Sequence, residues 1–204
     1  MINHLSASNL IILVISILVS LVLHEFMHAY AGYLLGDTTA EQQGRLSLNP
    51  LNHIDPFMTV VLPIVTVALF GAPILAAKPV PFNPDRVKYD EFGAAMIAAA
   101  GPLTNLILAV IGALLVNHIF LGGFWGNAFA IFTELNVALF VFNLIPIPPL
   151  DGSRVLYAFA PEPVQAFMAS IEPYGFFIIF ALVLWSGLGN ILQHIIQSVL
   201  NFLP

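Results

Sequence analysis

Cysteine is absent from this chain, and charge is scarce: Asp, Glu, Lys and Arg make up 8% of its 204 residues. Without cysteine there are no disulfides, no thiolate nucleophile and no cysteine-ligated metal. A soluble domain of this size carries about 25% charged residues, so the shortfall argues against a soluble globular fold. The five Lys and Arg residues form no basic run and do not interleave with aromatics, so nucleic acid is not expected as a partner. No stretch is polar and long enough to make a separate soluble domain, and residues 1–204 are expected to form one integral-membrane unit. The opening "MINHLSASNL" lacks the basic region of a signal peptide, and no small-residue cleavage site follows a short apolar core. The first apolar run is therefore expected to be retained.

Apolar sequence fills the space that charge leaves: 59% of residues are hydrophobic and the mean hydropathy is +0.95. Five long apolar segments cover residues 9–35, 57–77, 92–119, 125–145 and 174–188. Gly36 is placed to close the first, and Pro63, Gly71 and Pro73 interrupt the second. The third opens on the small-residue stretch "GAAMIAAAGPLTN", which suits close helix packing, and the fifth ends near Trp185, an interfacial anchor. Beyond it, "NILQHIIQSVLNFLP" sets Gln193, His194, Gln197, Ser198 and Asn201 on one helical face and Ile and Leu residues on the other. That pattern is an amphipathic helix lying in the interface or against the bundle.

All basic residues fall in three connections: Arg45 after the first segment, Lys78, Arg86 and Lys88 after the second, and Arg154 after the fourth. The positive-inside tendency places all three on the cytoplasmic side, which a single crossing by residues 57–77 would forbid. A re-entrant second segment resolves the conflict, provided its broken backbone is sheltered by protein. The expected fold is an all-α polytopic membrane protein with four to five transmembrane helices, a re-entrant segment and a C-terminal amphipathic helix. Four full spans and an outside N-terminus fit best.

Inside the first apolar segment stands "VLHEFMHAYA", residues 22–31. Ionisable groups at membrane depth are costly and mark function by default. His24 and His28, at i and i+4, project from one helical face and are placed to grip one metal ion, with Glu25 beside them to act on a bound water. At 1.5 Å per residue, His28 lies about 10 Å and His24 about 16 Å from the end of the segment at Leu35. The plainer alternative is a packing pair with a glutamate on an ion pathway. A catalytic zinc wants a third protein ligand, for which Asp151 in "NLIPIPPLDGSR" is the best candidate. Pro146, Pro148 and Pro149 must unwind the fourth segment there, and Gly152 permits a tight turn. The competing reading pairs Asp151 with Arg154 at the surface.

"HEFMH", "GPLTN" (101–105) and "NLIPIPPLDG" (143–152), in that order, resemble the site-2 proteases, intramembrane zinc metalloproteases. "GRLSLNPLNHIDP" and "KPVPFNP" are similar to the linking segments of compact bacterial members, so the likeness covers most of the chain. No part of it resembles the PDZ-like or CBS-like domains of larger relatives. The resemblance implies Zn2+ held by His24, His28 and Asp151, with Glu25 as catalytic base. It also implies Asn105 near the cleft as an oxyanion donor and Asn143 as a substrate-positioning group. The implied substrate is a membrane protein with a transmembrane helix, cleaved within the bilayer of the cell membrane at a site open to the cytoplasm. The alternative from another class is a metal-ion or proton transporter using the same cluster, against which stands the lack of an internal repeat. "RLSL" (45–48) is placed to offer a strand edge to an extended substrate. His53 and Asp55 either approach the site from the cytosolic side or, as the plainer reading, are interfacial loop residues, and Glu134 is read as a polar bundle contact or a shared proton.

Overall fold

The computed structural model describes residues 6–53, 80–184 and 186–204, and the secondary structure in them is helical. Helix α1 (Ala7–Leu34) starts at Ser6, whose hydroxyl accepts from the Asn9 N–H as an N-cap. A short α2 (Thr39–Gln42) follows, then α3 (Asp90–His118), α4 (Gly123–Asn143), α5 (Asp151–Phe159), α6 (Glu162–Ile171), α7 (Gly175–Leu184) and α8 (Ser186–Phe202). Among the described residues, α1, α3 and α4 are long and apolar enough to cross a membrane. The chain is thus an all-α polytopic membrane protein.

These three helices are built inside out relative to a soluble bundle. On α1, Leu10, Ile11, Val14, Ile15, Leu18 and Val19 are exposed, whereas Ser16, Ser20, His24 and His28 are buried. Their i+4 spacing forms one polar stripe, continued by Gly32, that faces the other helices. Helix α3 buries Gly93, Ala95, Ala98, Gly101, Ala109, Gly112 and Ala113 and turns Met96, Leu103, Ile107 and Ile111 outward. Lipid provides no hydrophobic drive between spans, so small residues that let backbones approach supply the packing. A Cβ at Gly112 would overlap Thr133 of α4.

Helix α3 lies between the other two and is antiparallel to both. Its start meets the end of α1, where Lys88 N donates to Leu35 O at 2.9 Å. Deeper in, His28 and His24 of α1 reach Ile97 and Asn105 of α3, and Asn105 in turn reaches Asn136 of α4. The N-terminal halves of α1 and α4 meet through Asn127 Nδ2, which donates to Asn9 Oδ1 at 2.8 Å. So α1 and α4 run in the same direction, as the sequence predicts. The connections bearing Arg45, Arg86, Lys88 and Arg154 consequently share one end of the bundle.

That end is tied by Asp37, just past the turn at Gly36. Its carboxylate accepts from Thr39 N at 3.0 Å, from Thr39 Oγ1 at 2.5 Å and from Asn83 N at 2.7 Å. Burial alone would raise the Asp37 carboxyl, but these donors and the Arg86 charge outweigh it and hold the group below its ordinary value.

The fifth apolar segment is helical over Gly175–Leu184 as α7; Trp185, near which it is expected to end, lies outside the described residues, and α8 follows from Ser186. One expectation differs from what is found. Residues 45–48 form no strand. The expected re-entrant stretch 57–77 and Asp55 lie outside the described residues. The amphipathic C-terminal helix is present as α8 and takes the second of its two expected placements. Its Leu192, Ile196, Val199 and Leu200 pack on a core of Ala109, Val137 and Val141.

Candidate metal centre

Three side chains from distant parts of the chain converge on one point. His24 and His28 lie one turn apart in the buried stripe of α1, and Asp151 is the first residue of α5. Their Nε2 atoms are 3.0 Å apart, and Asp151 Oδ2 lies 3.3 Å from His24 Nε2 and 3.4 Å from His28 Nε2. Among the described residues this is the group of His, Cys, Asp or Glu side chains able to hold a metal ion.

The sequence between α4 and α5 delivers the aspartate. Pro146, Pro148 and Pro149 end α4 at Asn143, and Leu150 in extended conformation precedes α5. Gly152 then sits against the end of α4 so closely that a Cβ would collide with the Leu144 carbonyl. Asp151 thereby stands at a helix N-terminus, which favours a carboxylate. It is not paired with Arg154, whose guanidinium forms an ion pair with Glu172 instead.

The remaining ring nitrogens decide what the histidines offer. His28 Nδ1 lies 2.7 Å from Ile97 O, a pure acceptor, so it must carry the proton and donate. Pro102 has no N–H to give to Ala98, so the ladder of α3 is interrupted in the turn that holds this carbonyl. His24 Nδ1 donates to Asn105 Oδ1 at 2.6 Å. With both protons on Nδ1, the two neutral rings turn bare Nε2 lone pairs toward each other and toward a carboxylate. Three such donors at this spacing repel one another unless a cation lies among them. Zinc with bonds of about 2.0–2.1 Å in tetrahedral geometry separates its ligands by about 3.3 Å, so the cluster fits that ion.

Space for an ion comes from Gly101. A Cβ there would lie 2.6 Å from His24 Nε2 and closer still to His28 Nε2. Glu25 is buried beside the pair, and among the described residues nothing donates a hydrogen bond to its carboxylate. Asn105, expected as an oxyanion donor, has its amide oxygen on His24 and its amide nitrogen on Asn136. Asn143 is the last residue of α4 and donates to Leu139 O at 3.0 Å, with no hydrogen bond to the cluster.

His53 is placed in line with its alternative reading, near the site. It is fully buried, its Nε2 donates to Ser47 O at 2.6 Å, and its Nδ1 has no partner among the described residues. It lies within electrostatic reach of Glu25. Arg45, also buried, holds this loop by donating to the Asn52 carbonyl. Glu134 is exposed on α4 and lines a cavity of about 250 Å³ with Leu200, Leu203 and Pro204 at the end of α8, away from the cluster.

Comparison with known proteins points the same way. The family described as "Peptidase family M50" matches residues 120–186, a stretch that contains Asn143 and Asp151 but not the two histidines. Relatives cover nearly the whole chain. The "Putative zinc metalloprotease YwhC" of Bacillus subtilis is 40% identical over 93% of this chain and 85% of its own length. The "Putative zinc metalloprotease Rip2" of Mycolicibacterium smegmatis is 32% identical over 98% of this chain and 78% of its own. No solved structure matches the chain.

Proposed function

Since the chain belongs to peptidase family M50 and is a zinc metalloendopeptidase of the membrane, we propose that it hydrolyses a peptide bond in or beside a transmembrane segment of membrane-protein substrates. In this reading His24, His28 and Asp151 hold the zinc and Glu25 is the general base. The observation that carries it is the convergence of three bare ligand atoms, with Glu25 buried beside them. A zinc ion bound there supplies Lewis acidity toward the scissile carbonyl and acidifies water. Glu25 takes the proton from the attacking water and returns it to the leaving amine, a task that suits a buried carboxylate beside the ligand pair with no hydrogen-bond donor among the described residues. Asn105 holds the His24 ring, since its amide is engaged at both ends, while the Asn143 amide oxygen, without a hydrogen bond among the described residues, is placed to receive a substrate N–H. The residues form a single domain in the cell membrane. The basic end of the bundle is cytoplasmic, and the site opens to that side.

The test is zinc content and proteolysis measured together on detergent-purified protein. Wild type and Glu25→Gln should both hold near-stoichiometric zinc, with the variant slower by about 10²–10⁴-fold on a membrane-inserted helical substrate. Asp151→Ala should lose the metal. A folded wild type that binds no offered zinc would sink the mechanism, and zinc flux into proteoliposomes without cleavage would favour transport.

A further inference from the structure

Three buried side chains on three helices form a hydrogen-bond line that ends at the proposed zinc site. Asn136 Nδ2 lies 2.8 Å from Phe132 O on its own helix α4. Asn105 Nδ2 lies 2.9 Å from Asn136 Oδ1, and His24 Nδ1 lies 2.6 Å from Asn105 Oδ1. Asn105 and Asn136 are fully buried at the centre of the spans, where no bulk water can replace a lost partner.

A primary amide can be placed either way round, so each link alone is ambiguous. The line as a whole is not, because it starts on a backbone carbonyl, which only accepts. Phe132 O requires the amide nitrogen of Asn136, which turns the Asn136 oxygen toward Asn105. That oxygen requires the Asn105 nitrogen, which turns the Asn105 oxygen toward His24. The Asn105 oxygen requires a proton on His24 Nδ1, which leaves Nε2 bare on the side of His28 and Asp151. Reversing the line would set two oxygens face to face at 2.8 Å, at Asn136 and Phe132, with no proton between them.

We infer that Asn136 is a positioning residue of the metal centre, fixing through Asn105 the tautomer of His24 that can bind metal. The inference rests on the zinc-site reading above. It separates two roles for the Asn105–Asn136 bond. As helix-to-helix adhesion alone, the bond would affect stability and leave metal binding untouched. As an orienting line, its removal frees the Asn105 amide to turn its nitrogen to His24 and shift the ring proton to Nε2.

The experiment uses the full chain in detergent with 15N-labelled histidine, the His24 signal being assigned from its loss in His24→Gln. In metal-free wild type the His24 proton should be on Nδ1; finding it on Nε2 overturns the inference without any other variant. Asn136→Leu, checked for wild-type helicity, should show both tautomers and bind Zn2+ about 10–100-fold more weakly in competition with a chelating dye. Asn136→Asp should restore both readouts, since a protonated carboxyl still donates to Phe132 O and accepts from Asn105. Wild-type zinc affinity and an unmixed tautomer in folded Asn136→Leu would overturn it, as would Asn136→Asp behaving like Asn136→Leu. If wild type itself binds no Zn2+ while its His24 proton sits on Nδ1, the zinc reading fails and the orienting line does not.

Discussion

One methyl group at Gly101 would occupy the space between the two ring nitrogens of the proposed metal centre, and neither histidine can retreat. Their Nδ1 atoms are held by Ile97 and Asn105, and their backbones are in mid-helix. Gly101→Ala should therefore keep its helicity, since alanine is the better helix former, yet retain less than about a tenth of wild-type zinc by elemental analysis. Asp37 gives the second residue-level prediction. Its folded carboxyl titrates below the unfolded value of about 3.9, so its contribution is present above that pH and disappears as pH falls through the folded value. The difference in Tm between wild type and Asp37→Asn should be constant near neutral pH and shrink below about pH 4. A gap that persists in acid would mean the tether does not depend on charge. At this scale the sequence speaks through local spacing: "HEFMH" is legible because both histidines lie on one helix. Asn136 is not legible, because its partner is 31 positions away on another helix and nothing adjacent marks it. His53 is followed by a charge and a proline and so reads as a loop residue, although its ring is buried.

Among elements, the long helices follow from apolar length, and the end of α4 follows from three prolines that cannot continue it. The resting place of α8 was open because an amphipathic face suits lipid and protein equally. Its packing on α3 and α4 makes a separable prediction. Ile196 touches the core of Ala109, Val137 and Val141, whereas Gln197 faces away. Ile196→Ala should lower stability in detergent unfolding by about 1–2 kcal/mol, less than a fully buried site would lose. Gln197→Ala should stay within about 0.5 kcal/mol of wild type. Equal and negligible effects would mean that α8 is not docked on the bundle.

Across the whole molecule, the shared direction of α1 and α4 sets the basic connections at one end and residues 119–122 at the other. A chain without cysteine is well suited to checking this. Gln43→Cys should react with a membrane-impermeant thiol reagent only from the cytoplasmic face, and Leu121→Cys, highly exposed, only from the opposite face. Labelling of both from one side would refute the shared direction of α1 and α4 across the bilayer. Five positive charges were enough to suggest the orientation, but not which helices would bear it, since that depends on pairings such as Asn9 with Asn127.

The proposed ligands also have an order in time. His24 and His28 leave the ribosome more than a hundred residues before Asp151, which lies beyond the last of the helices that, among the described residues, are long and apolar enough to span. While the translocon still holds the early helices, the nascent chain has two imidazoles and a base but no closed three-ligand cage. With the proposed ligand set, full metal affinity arrives only when insertion is nearly finished. Under that reading the site stays incomplete until late in its own synthesis.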